Sequence, residues 1–389
     1  MPAGRTKTFF DQYTSDLKSS DLERLFTRDT AEAYRYFTRH VDRRQLEAAP
    51  WYRRWPQQIR IVFTAFTMRL SPARRALYGV SVIAALLGLI LLFRGFGPVS
   101  MLLFPFHLNV LMPRWAEGTL WLALAFVALN LLILMEVADR LSLKGDLEIA
   151  RDIQLAMLPG GVQSAGDATV CGVTRPANTV GGDFYDIIPL PDGRLVLALG
   201  DVAGKGSPAA LLMALLLAMM RTLVDEGLET ARLVERLNAQ VLRHSPPSRF
   251  ITLFFSIYDP QSGVLQFVNA GHLPPMLRRA DGRVERVGEL DGGGLALGMF
   301  EGATYATSQT VIAPGDLLVL FSDGITEAEN PAGQAFEEAG LESVVALRAG
   351  DDPEIIGRAV LEVVEAHAAH LRLADDLTAL VLKRTPAAA

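Results

Sequence analysis

The chain has 389 residues, half of them hydrophobic and 21% charged, which argues against a disordered protein and predicts two or three domains. Its single cysteine, Cys171, excludes an internal disulfide, a CxxC redox pair and a thiolate zinc cage. Residues 1–75 carry 15 Lys and Arg against 8 Asp and Glu, whereas residues 145–389 carry 18 against 32. A basic region therefore precedes an acidic body, and no nucleic-acid partner is expected.

The basic N-terminal region, residues 1–76, is expected to be helical and cytoplasmic. Its segment 57–70 has apolar side chains at helical spacing between arginines, which is typical of an amphipathic helix. Such a helix lies either on an anionic membrane surface or on a partner protein, and both interpretations stay open. The apolar residues concerned are Ile59, Val62, Phe63, Phe66 and Leu70.

A membrane region is predicted at residues 77–137, with two uncharged spans at about 77–93 and 118–136. A spanning helix needs about 20 apolar residues, with a lower limit of about 17. The alternative is a pair of buried helices in a soluble core. The apolar stretch 98–113 is interrupted at Pro105 and is predicted to be an interfacial or re-entrant loop, with a third span as the alternative.

The charges around these spans predict their orientation. Six arginines lie between residues 53 and 75, just before the first span, and no acidic residue occurs between positions 48 and 76. The loop between the spans has only Arg94 and Arg114. By the positive-inside rule both termini lie in the cytoplasm, which predicts a multi-pass protein of the cytoplasmic membrane.

A helical connector is predicted at residues 138–160, ended by Pro159 and two glycines. The residues Leu143, Leu147, Ala150, either Ile153 or Gln154, and Met157 recur three or four residues apart, as on one helix face. The connector is either a short stem or a parallel helix pair that joins a homodimer. Gly145 weakens the helix by about 1 kcal/mol.

Residues 161–385 change to short β-rich runs separated by Gly, Pro and Asp, which predicts a two-sheet antiparallel sandwich flanked by helices, an α+β fold. The apolar run 209–220 has only 12 residues and is therefore interpreted as a buried core helix. Helices are predicted near 208–226, 230–243 and 353–370. Strands are predicted at 169–174, 184–189, 194–200, 250–258, 263–269, 274–279, 306–312, 316–322 and 377–383.

Aspartates mark the ends of several of these strands. Asp201 and Asp323 each follow an apolar strand, and Asp183 stands at the start of another. Asp375 and Asp376 precede the last strand, so antiparallel pairing of that strand with 316–322 would place Asp375 beside Asp323. Clustered carboxylates repel each other unless they are protonated or bind a cation.

Oxygen ligands without Cys or His favour Mg²⁺ or Mn²⁺ over zinc. Two such ions can acidify a water and neutralise a phosphoryl group without any nucleophilic side chain. The sequence has no G-x-S-x-G elbow, and the segment G-D-V-A-G-K-G (200–206) fails the phosphate-binding signature G-x-x-x-x-G-K-[ST]. Metal-dependent phosphate chemistry is therefore the favoured interpretation.

At these residues the chain resembles the SpoIIE/RsbU family of bacterial PPM-type serine/threonine protein phosphatases, from about residue 150 to residue 382. The resemblance rests on seven segments in the same order. They are A-R-D-I-Q-L-A-M-L-P (150–159), V-G-G-D-F-Y-D (180–186), G-D-V-A-G-K-G-S-P-A-A-L-L-M (200–213), F-I-T-L-F-F (250–255), N-A-G-H-L-P-P (269–275), P-G-D-L-L-V-L-F-S-D-G-I-T-E-A (314–328) and A-D-D-L-T (374–378).

The resemblance implies a two-sheet sandwich with a pair of Mn²⁺ or Mg²⁺ ions at one end. It implies that the ligands are Asp183, Asp201 with the backbone carbonyl of Val202, Asp323 and Asp375, while either Asp375 or Asp376 could face the metal. Lys205 is expected either to meet substrate phosphate or to be a solvated loop lysine. Asn269 and His272 are expected to shape a turn, with His272 structural rather than catalytic.

The function implied is a membrane-anchored, metal-dependent hydrolysis of phosphoserine or phosphothreonine on a STAS-type anti-sigma-factor antagonist. The alternative is a non-enzymatic membrane scaffold that binds a phosphoprotein. A transporter is disfavoured because the predicted spans contain no charged residue suited to a substrate path.

Overall fold

The computed structural model describes residues 63–64, 67–68, 70–93, 96–103, 106–113, 115–246, 249–288, 294–369 and 373–385. The chain divides into two compact units, Met1–Leu141 and Ser142–Ala389. The predicted N-terminal region 1–76 and the amphipathic segment 57–70 lie mostly outside the described residues. The domain boundaries expected after 76, 137 and 160 stay predictions.

The described part of the first unit includes two long helices, α1 (Pro72–Phe93) and the first part of α2 (Trp115–Met157). They approach closely at two glycines, because a Cβ on Gly88 would lie 3.0 Å from the carbonyl oxygen of Gly118. Arg74 Nη1 also lies 2.7 Å from Asp139 Oδ2. Small residues at a helix crossing are typical of helix pairs in lipid.

Within the described residues, three helices are long and apolar enough to cross a membrane: α1, the part of α2 from Gly118 onward, and α3 (Ser207–Asp225). In α3 half of the most apolar 18-residue stretch is buried within the structure, against 17% for each of the other two. The apolar side chains of α3 therefore fill a protein core, as expected for 209–220.

The stretch 98–113 differs from the expected loop. Strands β1 (Phe96–Leu103) and β2 (Phe106–Pro113) pair antiparallel along their whole length, from Phe96 opposite Pro113 to Leu103 opposite Phe106. Pairing gives the backbone groups of this apolar stretch the hydrogen-bond partners that an irregular loop would lack.

The connector is part of one continuous helix, since α2 runs for 43 residues to Met157 without a break at Gly145. Ile153 is 60% exposed, whereas Gln154 is 6% exposed. The inward face of the connector thus contains Gln154 and not Ile153, which answers the alternative that the sequence left open.

The second unit contains two antiparallel sheets. The strands are β3 (Val162–Ala165), β4 (Ala168–Arg175), β5 (Phe184–Pro189), β6 (Leu195–Val202), β7 (Ile251–Tyr258), β8 (Val264–Ala270), β9 (Met276–Arg278), β10 (Val284–Arg286), β11 (Ser308–Val311), β12 (Leu317–Phe321) and β13 (Leu377–Arg384). The six-stranded sheet has the order β10-β9-β12-β13-β4-β3, and the five-stranded sheet has the order β11-β8-β7-β6-β5. The helices are α3, α4 (Thr230–His244), α5 (Asp323–Thr326), α6 (Glu337–Arg348) and α7 (Pro353–His367).

Side-chain alternation divides the core into two apolar layers. Leu318 and Leu320 of β12 belong to the larger layer, which also takes in the five-stranded sheet with α3 and α4. Leu317, Val319 and Phe321 belong to the smaller layer, packed with α6 and α7. The result is a sandwich with a helix pair on each outer face, as the α+β prediction required.

All nine predicted strands and the three predicted helices of this unit are present, with ends that differ by at most three residues. The sequence reasoning missed the short strands β3 and β10, the four-residue helix α5, and the helix α6, which has only three buried residues. Short edge strands and a largely polar helix give a weak periodic signal.

Candidate active site

Five aspartates gather at one edge of the sandwich, and we call them the aspartate cluster: Asp183, Asp201, Asp323, Asp375 and Asp376. Antiparallel pairing of β12 with β13 brings the end of one strand to the start of the other. The charge of Asp375 accordingly acts on Asp323. The charges of Asp323 and Asp375 also act on Asp201, which lies in the other sheet.

Asp183 is the most deeply buried carboxylate of the predicted ligand set, with 4% of its surface exposed. Burial, followed by the charges of Asp201 and Asp376, raises its pKa well above the ordinary value. Its Oδ2 atom is buried and has no hydrogen-bond partner. A buried, unpaired carboxylate oxygen is costly, so this atom fits a site that receives a cation.

Asp201 is the penultimate residue of strand β6, just before a glycine-rich loop. Burial and the charges of Asp323 and Asp375 raise the pKa of Asp201 to about 7, although a hydrogen bond with Asp183 acts in the opposite direction. Its backbone N–H donates to Thr252 Oγ1 at 3.3 Å. At neutral pH the ionised form of Asp201 is therefore disfavoured by burial and by the negative charges of Asp323 and Asp375.

Asp323 and Asp375 lie at the more open side of the cluster. Burial and the charge of Asp375 raise the pKa of Asp323. Lys205 Nζ lies 2.9 Å from Asp375 Oδ2 and also donates to the carbonyl oxygen of Ala374. Among the described residues this is the one ion pair to the cluster, and the Lys205 side chain is 54% exposed.

Asp376 holds the backbone of the neighbouring loop. Its Oδ1 accepts a hydrogen bond from Ala177 N at 2.8 Å, and its Oδ2 accepts one from Gly182 N at 2.7 Å. The N–H of Asp183 lies 3.4 Å from the same Oδ2. Both oxygens of Asp376 are therefore engaged with the backbone of another segment. In the described part of the chain, Asp375 Oδ1 accepts only from the adjacent Asp376 N at 3.0 Å, and the Asp375 side chain is 39% exposed.

Gly182 allows the two sides of the cluster to meet. A Cβ at this position would lie 2.9 Å from Asp201 Oδ1 and 2.9 Å from the carbonyl oxygen of Val202. The space above Gly182 is thus bounded by two of the predicted oxygen ligands. A glycine is required here by contact distance.

Asp186, the other carboxylate of the V-G-G-D-F-Y-D segment, belongs to a different interaction. It is buried, and Arg221 donates to both of its oxygens, from Nε at 2.7 Å and from Nη2 at 3.1 Å. A bidentate Arg–carboxylate pair of this kind fixes two elements together. Asp186 therefore joins strand β5 to helix α3.

Asn269 and His272 form the turn that the sequence led us to expect. Asn269 Oδ1 accepts from His272 N at 2.8 Å, and Asn269 Nδ2 donates to His272 O at 2.9 Å. The ring of His272 is held between Thr252 Oγ1 and the carbonyl oxygen of Phe321. Burial lowers the pKa of His272 to about 4, so the ring is neutral at pH 7.

Sequence reasoning missed several polar residues that support the cluster. Ser322 Oγ accepts from Thr378 N at 3.1 Å and donates to Asp376 O at 3.2 Å, which joins the two strand ends. Gln154 reaches the loop of Asp183 from helix α2. The serine directly before Asp323 was a usable signal, but the partner of Gln154 lies 27 residues away and no local pattern indicates it.

The cluster is an open arrangement. Among the described residues no group of three His, Cys, Asp or Glu side chains converges as a ready-made metal cage. Mg²⁺ is commonly held by one or two carboxylates and keeps several waters, so an open set of oxygens is compatible with it. The unpaired Oδ2 of Asp183 and the space at Gly182 fit a divalent cation better than they fit a structural ion pair.

Comparison with known proteins identifies the family of this chain. Residues 191–385 match the family model of stage II sporulation protein E (SpoIIE). The chain is 29% identical to protein IcfG of Synechocystis sp. over 280 residues, which cover 65% of this chain and 43% of IcfG. It is 27% identical to phosphoserine phosphatase RsbU of Bacillus subtilis, over 62% of this chain and 71% of RsbU.

Two solved structures share the fold. The RsbU and RsbW domains of Rv1364c from Mycobacterium tuberculosis match with a TM-score of 0.50 and 28% identity, over 57% of this chain and 61% of that one. The SiaA-PP2C domain of Pseudomonas aeruginosa matches with a TM-score of 0.54 and 20% identity, over 63% and 98%. With the family match over half of its length, this chain belongs to the SpoIIE/RsbU family of PPM-type phosphatases.

Proposed function

We propose that this protein is a membrane-anchored, metal-dependent phosphatase that hydrolyses phosphoserine or phosphothreonine on a protein. The observation that carries the proposal is the aspartate cluster with the buried, unpaired Oδ2 of Asp183 at its centre. Three carboxylates of this cluster have raised pKa values because they are buried next to one another. Buried carboxylates that repel one another are stabilised in their ionised form when a cation binds between them.

Asp183, Asp201, Asp323 and Asp375 would hold two Mn²⁺ or Mg²⁺ ions, together with the backbone carbonyl of Val202. When bound, such ions supply charge neutralisation for a phosphoryl group and lower the pKa of water. Asp376 would position the Gly182 backbone, because both of its oxygens accept backbone hydrogen bonds. The greater exposure of Asp375, 39% at its side chain against 5% for Asp376, supports Asp375 as the ligand.

The other polar residues near the cluster have supporting roles. His272 is neutral at pH 7 because burial lowers its pKa to about 4, and its ring is held by Phe321 O. It would therefore orient the turn and not act as a general acid. Lys205 is the cation next to Asp375, where it can meet a substrate phosphate that approaches the open side. The sole cysteine is buried in β4 and is no nucleophile.

The substrate proposed is a phosphorylated STAS-type protein, an anti-sigma-factor antagonist. The name of the relative RsbU, phosphoserine phosphatase, supports the choice of phosphoserine. The open side of the cluster at Asp375 and Lys205 supports a substrate presented on a protein surface, since a deep pocket would exclude it.

The membrane anchor proposed is the pair of spans in α1 and α2, with both termini and the aspartate cluster in the cytoplasm. Apolar side chains cover the outside of both helices, including Ile83, Ile90, Leu124 and Ile133, each at least half exposed. Such a surface is unstable in water and stable in lipid. A homodimer through the connector is proposed because Leu143, Ile149 and Ile153 of α2 are also exposed.

Hydrolysis of p-nitrophenyl phosphate by the purified protein tests the proposal. We expect activity that requires Mn²⁺ or Mg²⁺, that is removed by EDTA, and that is lost in Asp201→Ala and Asp323→Ala. Asp281→Ala is the matched control, because Asp281 is an exposed loop aspartate paired with Arg283. Metal-independent activity, or full activity in the two cluster variants, would refute the mechanism.

The alternative of a non-enzymatic scaffold makes a different prediction. A scaffold binds a phosphorylated STAS-type protein and leaves its phosphate in place in a single-turnover assay with metal. The proposed phosphatase releases one equivalent of phosphate under the same conditions, and Asp201→Ala does not.

A further inference from the structure

The last turns of helix α2 contain one buried polar side chain. Gln154 is 6% exposed, although the residues around it at positions 151–153 and 155–156 are exposed. Its Nε2 donates to the carbonyl oxygen of Gly181 at 2.7 Å, and its Oε1 accepts from the N–H of Gly181 at 3.1 Å. One amide side chain thus satisfies both backbone groups of a single residue.

Gly181 lies between this amide and the aspartate cluster. A Cβ on Gly181 would lie 2.3 Å from Asp376 Oδ2, so the chain passes directly against that carboxylate. The next residue, Gly182, donates to the same oxygen at 2.7 Å. The backbone that leads into Asp183 is therefore held from one side by Gln154 and from the other by Asp376.

A second set of contacts fixes the end of helix α2 to strand β5, which begins directly after Asp183. Arg221 Nη2 donates to the carbonyl oxygen of Met157 at 2.6 Å, while the same guanidinium binds Asp186 of β5. The hydroxyl of Tyr185 donates to Pro159 O at 3.1 Å. Residues 154–159 are consequently held at both ends: Gln154 bonds to Gly181, and the carbonyl groups of Met157 and Pro159 accept from Arg221 and Tyr185.

We infer that Gln154 is a positioning residue of the active site, acting through Gly181 to place the carboxylate of Asp183. The inference rests on the phosphatase function proposed above. A neutral amide suits the task because it offers one donor and one acceptor at the spacing of a peptide group. It also adds no charge beside five carboxylates. Removing a group that orients a metal ligand commonly weakens metal binding by about 10- to 100-fold.

The test compares the full-length protein in detergent with its Gln154→Met and Gln154→Asn variants. Methionine keeps the length of the side chain and removes both hydrogen bonds, while asparagine keeps the amide but is one methylene too short to reach Gly181. The control is Arg151→Ala, an exposed position one turn earlier on the same helix. Mn²⁺ affinity is measured by calorimetry, and backbone hydrogen exchange is followed at residues 181–183.

We expect Gln154→Met to weaken Mn²⁺ binding by about tenfold or more and to speed exchange at Gly181, whose N–H loses its acceptor. Gln154→Asn should fold normally and show the same direction of change, which covers the case in which the methionine variant does not fold. Arg151→Ala should match the wild type in both measurements.

Two results separate failure of the inference from failure of the proposed function. Wild-type protein that binds Mn²⁺ and hydrolyses p-nitrophenyl phosphate, with unchanged Mn²⁺ affinity in both Gln154 variants, would overturn the positioning role alone. Wild-type protein that neither binds Mn²⁺ nor hydrolyses the ester would overturn the proposed function and with it this role.

Discussion

Replacement of Asp201 by asparagine should stabilise the metal-free protein while it removes activity. The pKa of Asp201 rises from 3.8 to about 7 in the folded protein, chiefly through burial and the charges of Asp323 and Asp375. At 1.36 kcal/mol per unit, this corresponds to a cost of about 4 kcal/mol for the ionised carboxylate at pH 8. We expect a gain of about 1–4 kcal/mol, because the cluster shares its charge among several groups.

The pH dependence gives the sign of this effect. A carboxyl group whose pKa is raised by folding keeps its proton in the folded state while it is ionised in the unfolded state. The stability of the metal-free protein should therefore fall as the pH rises from about 4 to about 8. The gain in Asp201→Asn should be large at pH 8 and absent near pH 4, where the wild-type carboxyl is already neutral.

Urea unfolding of the unit Ser142–Ala389 in EDTA at several pH values measures the effect. Asp186→Asn is the matched control, because the same substitution there leaves Arg221 without its buried carboxylate partner. That variant should lose about 1–3 kcal/mol. A loss of stability in Asp201→Asn at pH 8, or a gain that does not depend on pH, would refute the reasoning.

Two close glycine contacts give further predictions. Gly182→Ala should lower Mn²⁺ affinity by about tenfold or more by displacing groups around Asp201, whereas Gly160→Ala, where a Cβ meets nothing within 4 Å, should leave it unchanged in the same titration. Gly88→Ile should destabilise the α1–α2 pair by about 1–3 kcal/mol in micelles, and Gly79→Ile, at a position with open space, should not. Equal effects in either pair would contradict the contact argument.

Periodicity carried much of the fold prediction. The strands of the sandwich and the core helix α3 were predictable because alternation and apolar runs are properties of neighbouring residues. The hairpin of β1 and β2 was not predicted, because polar and apolar residues alternate only at 106–110 and Pro105 interrupts the stretch. Helix α6 was missed for the related reason that only Leu341, Val344 and Val345 are buried.

The candidate site was predictable in its composition but not in its division of labour. Aspartates at strand ends, with antiparallel pairing, were sufficient to place Asp375 beside Asp323. The same residues could not show that Asp376 turns to the backbone of Gly182, nor that Asp186 pairs with Arg221. Each of these contacts joins elements that are 35 or more residues apart.

The sequence by itself determined which segments are apolar enough for a membrane, which form strands, and that acidic side chains accumulate at strand ends, because these are local properties of the chain. Only the tertiary structure decided which carboxylate lacks a partner, which one pairs with Lys205 and which glutamine holds the loop of Asp183. The physical reason is that the free energy of a charged or polar side chain depends on the groups that surround it in space. Those groups are brought together by strand register and helix packing.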